Sequence, residues 1–419
     1  MFRFLHAADL HLDSPLRGLE GYEDAPVDEI RGATRRAFEN LISLAIEEDV
    51  KFVLLSGDLF DGNWKDFNAG LFFINRISRL SRKGIKVFMV SGNHDAASRI
   101  ARELRLPENV RMLSAKSVES LFFDDLEVAI HGRSYQTRAV TENLAEKYPR
   151  HDPHYFNIGL LHTALTGREG HEPYAPCSLD DLLAKGYDYW ALGHIHKREV
   201  VNRDPWIVFP GNIQGRHIRE TGAKGATLVT VDNGQILDVE QRDLDVLRWS
   251  LCRVDLAGCE TLDHVSVRVG QALEAEQGLA SGKTLAVRLE LNGECPVHSG
   301  LFEESARLTE EFREIAAGLG SMWLEKVLFK TTSKVRLEEA LDKESPLVAL
   351  LWGVEKCEFD ADGLLELAPE ISSLKSKLPA VLAGADSSLF PEGEEEIGIL
   401  RNQVRELLLA RLIRHGENF

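Results

Sequence analysis

The feature that most narrows how this chain can fold is a repeated ending. Six short apolar runs in the first 250 residues (FRFLHAAD, KFVLLSGD, KVFMVSGN, FNIGLLHT, DYWALGHIH and WIVFPGN) each stop abruptly at Gly, Asp, Asn or His. They read as strands. Between several of them, Thr34 to Glu48 and Asn68 to Arg82 carry apolar residues at helical spacing. Strand followed by helix argues for an α/β domain that displays polar residues on loops at strand ends.

Those endings hold the motifs Asp9-x-His11, Gly57-Asp58, Gly92-Asn93-His94-Asp95, His162 and Gly193-His194-x-His196. In a parallel sheet such ends converge on one rim, where ligand sites of open α/β sheets form. Oxygen and imidazole donors without thiolates suit a pair of Mn, Fe or Zn ions better than one structural zinc. Two divalent ions about 3.5 to 4 Å apart clamp the attacking and leaving oxygens of an in-line displacement at phosphorus, and a water between them loses its proton near neutral pH. In this reading Asp9, His11 and His196 hold one ion, Asn93, His162 and His194 hold the other, and Asp58 bridges. His94 is then free to give a proton to the leaving oxygen, with Asp95 orienting its ring. Ala96 to Leu104 continues as a helix whose positive end favours phosphate. A lone Asp-x-His carries little weight, and His162 alone reads as a hydrogen-bonded core histidine; the ordered set carries the argument.

Charge limits the partners. The formal net charge is −18, of which −12 falls on Glu260 to Phe419 and −6 on the first 259 residues. A bulk basic field for coating nucleic acid is excluded, so a polyanion must be held by local basic side chains and metal ions. Five cysteines without a CxxC pair read as buried reduced thiols rather than a disulfide framework or a zinc site. No apolar run spans a bilayer and the first residues do not read as a signal peptide, so a cytoplasmic location away from membranes is expected.

Near Trp249 the pattern changes to a β-α-β module (Arg248 to Leu256, Leu262 to Gln277, Thr284 to Leu291), and from Phe302 onward helices are expected to dominate. Asp386 to Glu396 reads as a linker, and Ile397 to His415 as an amphipathic helix able to dock a partner. The expected division is residues 1–247, 248–330 and 331–419.

The chain resembles the calcineurin-like metallophosphoesterases over about residues 1–245, and within them the bacterial SbcD-type DNA repair exonucleases, particularly the YhaO branch. The narrower likeness rests on Phe4-Leu5-His6-Ala7-Ala8-Asp9-Leu10-His11-Leu12-Asp13, Ser56-Gly57-Asp58-Leu59-Phe60-Asp61 and Phe209-Pro210-Gly211-Asn212-Ile213-Gln214-Gly215-Arg216-His217. The resemblance implies a four-layer α-β-β-α sandwich, a small α+β cap that positions DNA, and a helical C-terminal region. It also implies a 3′-to-5′ exonuclease that prefers Mn²⁺, acting with a coiled-coil, SMC-like ATPase of the SbcC or YhaN kind. A homodimer is a further candidate assembly. Where some family members have a histidine near the leaving group, this chain has Asp61, which leaves the acid role to His94 alone.

Asp61, Arg216 and His217 are the substrate-side candidates. The Arg216 guanidinium can grip phosphate oxygens or pair with an acid such as Glu220. Arg17, Arg99, Arg133 and Arg138 are further basic candidates, while Trp64 and Tyr135 either stack on a base or pack. Two other functions compete with a DNA exonuclease: a phosphoesterase acting on a nucleotide or other small phosphodiester, and a regulatory scaffold of an ATPase complex.

Overall fold

The computed structural model describes residues 1–14, 27–61, 67–97, 105–166, 174–333 and 398. Arg17, Trp64, Arg99, the linker at 386–396, the docking helix at 397–415 apart from Gly398, and all but the start of the helix expected over 96–104 lie outside the described residues. The chain divides into two units between Trp249 and Ser250.

In the first unit the strands are β1 (Phe2–Ala7), β2 (Phe52–Ser56), β3 (Lys86–Val90), β4 (Val110–Met112), β5 (Glu119–Phe123), β6 (Val128–Gly132), β7 (Phe156–His162), β8 (Tyr189–Gly193), β9 (Glu199–Arg203), β10 (Trp206–Phe209), β11 (Gly225–Asp232) and β12 (Gln235–Asp243). Helices α1 (Val27–Glu47), α2 (Phe67–Ser81), α3 (Asn93–Ala97) and α4 (Leu179–Leu183) lie between them. Two six-stranded sheets result, ordered β12-β11-β1-β2-β3-β4 and β5-β6-β7-β8-β10-β9. The central strands β1 to β4 and β6-β7-β8-β10 run parallel, as the strand endings require, but β11 and β12 on one sheet and β5 and β9 on the other add antiparallel pairings.

Alternation along each strand sorts side chains between two cores. Phe4, Phe52, Leu54, Phe88, Ile130, Ile158, Leu160, Tyr189 and Val208 form the layer between the sheets, where Phe4 stacks on Phe52 with centroids 5.1 Å apart. Leu5, Val53, Leu55, Val87 and Met89 face outward onto Phe38, Leu41 and Ile42 of α1 and Phe73 and Ile77 of α2. That helical stripe is the amphipathic spacing visible in the sequence. On the other outer face Leu161, Trp190, Leu192 and Ile207 are covered by Tyr135, Tyr148 and Leu182 of α4. Strands buried on both faces explain why these runs are continuously apolar rather than alternating.

The described residues of the second unit form a three-stranded sheet ordered β13-β14-β15 (Leu247–Asp255, Thr284–Cys295, Met322–Ser333), with α5 (Leu262–Leu279), α6 (His298–Glu303) and α7 (Ser305–Gly318). Val265, Val269 and Leu273 of α5 and Leu308 and Phe312 of α7 pack on Leu285, Val287, Leu289 and Leu324. Strand β15 departs from the expectation of helices after Phe302. It pairs in parallel with β14 from Leu285↔Met322 to Cys295↔Ser333, and its Trp, Val, Phe and paired Thr residues favour a pleated surface over a helix. Cys177, Cys252, Cys259 and Cys295 are free and buried. No helix among the described residues is long and apolar enough to cross a membrane.

Candidate metal centre

The donors sit where the backbone leaves the parallel strands, and the exits are strained. Asp9 (φ 51°), His11 (φ 42°), Asp58 (φ 54°) and His194 (φ 101°) all occupy left-handed conformations, which cost on the order of 1 to 3 kcal/mol each for a side-chain-bearing residue. A ladder between the two exits holds them: Asp9 N–H donates to Gly57 O at 3.0 Å, His11 N–H to Asp58 O at 3.0 Å, and Leu12 N–H to Leu59 O at 2.9 Å. Two glycines are demanded by close approach. A Cβ on Gly57 (φ 94°) would lie 2.5 Å from His162 Nδ1, and one on Gly92 would collide with the Asp58 carboxylate.

Two donor groups form around Asp58. Asp9, His11 and His196 bring one ligand atom each within 4.8 Å of the others, and so do Asp58, His162 and His194. Asn93 Oδ1 lies 3.1 Å from His162 Nε2. Asp58 Oδ2 is 3.5 Å from His162 Nε2 and 4.0 Å from His11 Nε2, which puts one carboxylate between both groups. His94 N–H and both Asp9 oxygens complete the tethering: His94 N–H donates to Asp58 Oδ1 at 3.0 Å, and His194 N–H to the Asp9 carboxylate at 3.1 and 3.2 Å.

The chemistry of this donor set calls for cations. His11 Nδ1 lies 2.7 Å from Asp61 Oδ1, and His196 Nδ1 lies 2.6 Å from Glu220 Oε1. Each of those nitrogens therefore carries the ring proton, and the two Nε2 atoms face each other across 3.1 Å. His162 repeats the pattern with Nδ1 at 2.8 Å from Ser56 O, an atom that only accepts, so its Nε2 meets Asn93 and Asp58 oxygens. Lone pairs converging on lone pairs need extra protons or metal ions. Burial holds His11 and His196 below the ordinary imidazole range, which keeps them neutral as ligands must be. At His162 burial also acts downward, but the Asp58 charge outweighs it and raises the group to about 9.

The remaining site residues fall differently from the expectation. Asp95 does not orient His94. One of its oxygens accepts from Leu59 and Phe60 N–H (2.9 and 3.1 Å) and the other from Gly92 N–H (3.1 Å), so it clamps the backbone on either side of the donors. Asp95 sits in the first turn of a helix that starts at Asn93, which turns its carboxylate back toward the Asp58 loop. Burial, followed by the Asp58 charge, raises it to about 7. The residue that holds His94 is Asp61, at 3.2 Å from His94 Nδ1. Asp61 thus supports His11 and His94; burial opposes its ionisation, but the His11 and His94 hydrogen bonds keep it far below the carboxylate range.

Arg216 takes the ion-pair alternative. Its Nη2 lies 2.9 Å from Glu220 Oε1 and its backbone N–H donates to Glu220 Oε2 at 2.9 Å, with Asp61 4.0 Å from Nη1. His217 stays half-exposed, 3.6 Å from Glu220. Tyr135 is a packing residue: its ring is buried and its hydroxyl donates to His162 O at 2.8 Å. Sequence reasoning gave no site role to Glu220, Asn212 or His6. Asn212 Nδ2 donates to Glu220 Oε2 at 2.8 Å, and the Pro-Gly-Asn ending of its strand matches the endings of the ligand strands. His6, fully buried between the sheets, sits 3.0 Å from Ser56 Oγ and from the Tyr189 hydroxyl, beneath the carbonyl that holds His162. Only the strand alternation marked it, as an inward polar residue.

Paired mixed sheets with two nitrogen-and-oxygen donor groups sharing a carboxylate define a metallohydrolase of the dimetal phosphoesterase class. The chain belongs to the calcineurin-like metallophosphoesterase family, whose members bind a dimetal site. The calcineurin-like phosphoesterase model matches residues 2–198, and that of the middle domain of metallophosphoesterase YhaO matches residues 249–332. The chain is 41% identical to the metallophosphoesterase YhaO of Bacillus subtilis over 74% of its own length and 76% of that protein. It is also 29% identical to the DNA double-strand break repair protein Mre11 of Sulfurisphaera tokodaii, over 58% of this chain and 63% of that one. Against Mre11 of Thermoplasma acidophilum the identity is 24%, over 69% and 77%.

Proposed function

We propose that this metallophosphoesterase is a DNA nuclease, an exonuclease that degrades strands from DNA ends with Mn²⁺ and acts in double-strand break repair. The observation that carries the reading is the position of the Asp58 carboxylate between two donor groups, with the His94 ring edge-on to that of His11. Relatedness to proteins named for DNA double-strand break repair selects the substrate class.

Asp9, His11 and His196 would hold one ion and Asn93, His162 and His194 the other, with Asp58 shared. When bound, the pair supplies charge to polarise the phosphoryl oxygens and an acidified water as nucleophile. The chain's own residues do the rest. Asp61 fixes His94 through Nδ1, which leaves Nε2 as the proton-carrying atom toward a leaving oxygen. Burial disfavours the His94 cation, but the Asp61 hydrogen bond and the Asp58 charge outweigh it and raise the group, as an acid working near neutral pH needs. A sugar alkoxide is a poor leaving group, so a diester backbone benefits from that proton. Residues 248–330 would position DNA, and residues 331–419 would dock a coiled-coil, SMC-like ATPase.

End-labelled single-stranded and duplex DNA, incubated with the chain in Mn²⁺ or EDTA, tests the proposal. Metal-dependent shortening from an end is expected. Hydrolysis of bis-p-nitrophenyl phosphate with no action on either DNA would refute the substrate assignment, and co-purification of the ATPase would test the partner.

A further inference from the structure

A second set of cationic side chains lies outside the metal centre, at the corner where β5 meets β6. A cleft of about 560 Å³ is lined there by Lys116, Ser117, Arg133, Glu142 and Lys147, among others. Arg133 directly follows β6, and β6 pairs with β7, the strand that ends in His162. Arg133 therefore leaves a strand that lies about one strand spacing, roughly 5 Å, from the strand that ends in His162.

Arg133 is poorly partnered for its burial. Its side chain is only 14% exposed, yet its one charged partner is Glu142, 2.9 Å from Nη2 and itself 52% exposed. Its Nε is buried without a hydrogen-bond acceptor. A largely buried guanidinium with an unused N–H is costly, and an ion pair with a half-exposed carboxylate recovers little of that. Lys116 and Lys147 are exposed on the same cleft, with no carboxylate within 4.0 Å among the described residues. The arrangement is three cations around one weakly held, displaceable anion.

We infer that this cleft is a subsite for a backbone phosphate of the nucleic-acid strand, a nucleotide or more from the scissile bond, and that Glu142 stands in for that phosphate when no strand is bound. The inference rests on the DNA reading above for the identity of the polyanion. A phosphate brings two or more acceptor oxygens to a planar fork of donors, which suits arginine better than a single carboxylate oxygen does. In a chain of net charge −18, a local cationic cleft is also what a polyanion requires.

The test measures KM for end-labelled single-stranded DNA against salt, with bis-p-nitrophenyl phosphate as a substrate too small to span both sites. Each lost phosphate contact lowers the slope of log affinity against log salt by about 0.7 on single strands. Lys116→Gln/Lys147→Gln, at two exposed positions, should lower the slope by about 0.7 and reduce the selectivity for DNA over the small diester by about tenfold. Arg133→Gln should do the same, and Glu142→Gln should lower KM for DNA several-fold. Wild-type slope and selectivity in the double lysine variant, together with unchanged KM in Glu142→Gln, would overturn the subsite while leaving DNA cleavage intact. A wild-type chain that hydrolyses the small diester but neither binds nor cuts DNA would instead overturn the substrate reading on which the subsite depends.

Discussion

Glu220→Gln is the most informative single change, because it tests whether the network behind a metal ligand matters as much as the ligand. The Glu220 carboxylate lies 2.6 Å from His196 Nδ1 and accepts from Arg216 Nη2 at 2.9 Å, Arg216 N–H at 2.9 Å and Asn212 Nδ2 at 2.8 Å. With Arg216 Nε also 3.4 Å from Oε2, two oxygens serve five donors at a position only 6% exposed. Burial alone would raise this carboxyl, but the His196 hydrogen bond and the Arg216 charge hold it far below the ordinary range. Glutamine offers one oxygen and turns an N–H₂ toward a donor, so at least one charge-assisted bond is lost, worth about 1.5 to 3 kcal/mol. The amide also removes the negative charge that makes His196 Nε2 a good donor and fixes its tautomer. Loss of such a support costs roughly 10- to 100-fold in metal affinity, or about 1.4 to 2.7 kcal/mol. Calorimetric titration with Mn²⁺, beside a melting curve of the metal-free variant, separates the two losses. Weaker folding with wild-type Mn²⁺ affinity would refute the reasoning and reduce Glu220 to a partner for Arg216.

Three further substitutions test other parts of the site. His94→Ala should reduce DNA hydrolysis by about 10² to 10⁴-fold while Mn²⁺ still binds, and full activity in that variant rules out a proton-donating role. Asp95→Ala strands the N–H groups of Leu59, Phe60 and Gly92; at about 1 to 3 kcal/mol per unsatisfied buried group it should lower the melting temperature sharply. Unchanged melting with lost activity would return Asp95 to orienting His94. His6 is pushed by burial from 6.5 down to about 3, so the folded state resists a proton that the unfolded chain accepts. Its contribution is complete above pH 6.5 and is lost as pH falls from there toward 3, by about 1.4 kcal/mol per pH unit. Urea midpoints of His6→Gln should therefore fall less steeply between pH 6 and 4 than those of the wild type, and parallel curves would exclude His6 as the source.

The legible part of the site was its donors, and the physical reason is local. A donor placed at the last residue of an apolar strand or within four residues of it is positioned by that strand's exit, so Asp9, His11, Asp58, Asn93, His162, His194 and His196 could be picked from spacing and residue type. Their supports could not. Asp61 and Asp95 lie 3 and 37 residues past Asp58, and which of two nearby carboxylates meets His94 depends on where α3 begins. Arg216 and Glu220 form a local pair, yet the pair matters because a chain reversal brings it to His196, and no periodicity encodes that. The strand Met322–Ser333 escaped for a different reason. Its alternation is imperfect, with Glu325 and Lys326 adjacent on it, and it is stabilised by parallel pairing to a distant strand.

The left-handed conformations at Asp9, His11, Asp58 and His194 tie the fold to the chemistry. Four such residues within one ligand set oppose folding by several kcal/mol, and an open loop would relax them. Here relaxation is blocked from below, because the strands they leave are buried on both faces, and from the side, because the exits hydrogen-bond to one another. The exits are held by the two-sheet core, which is why that core, and not the loops, should set how tightly this centre holds metal.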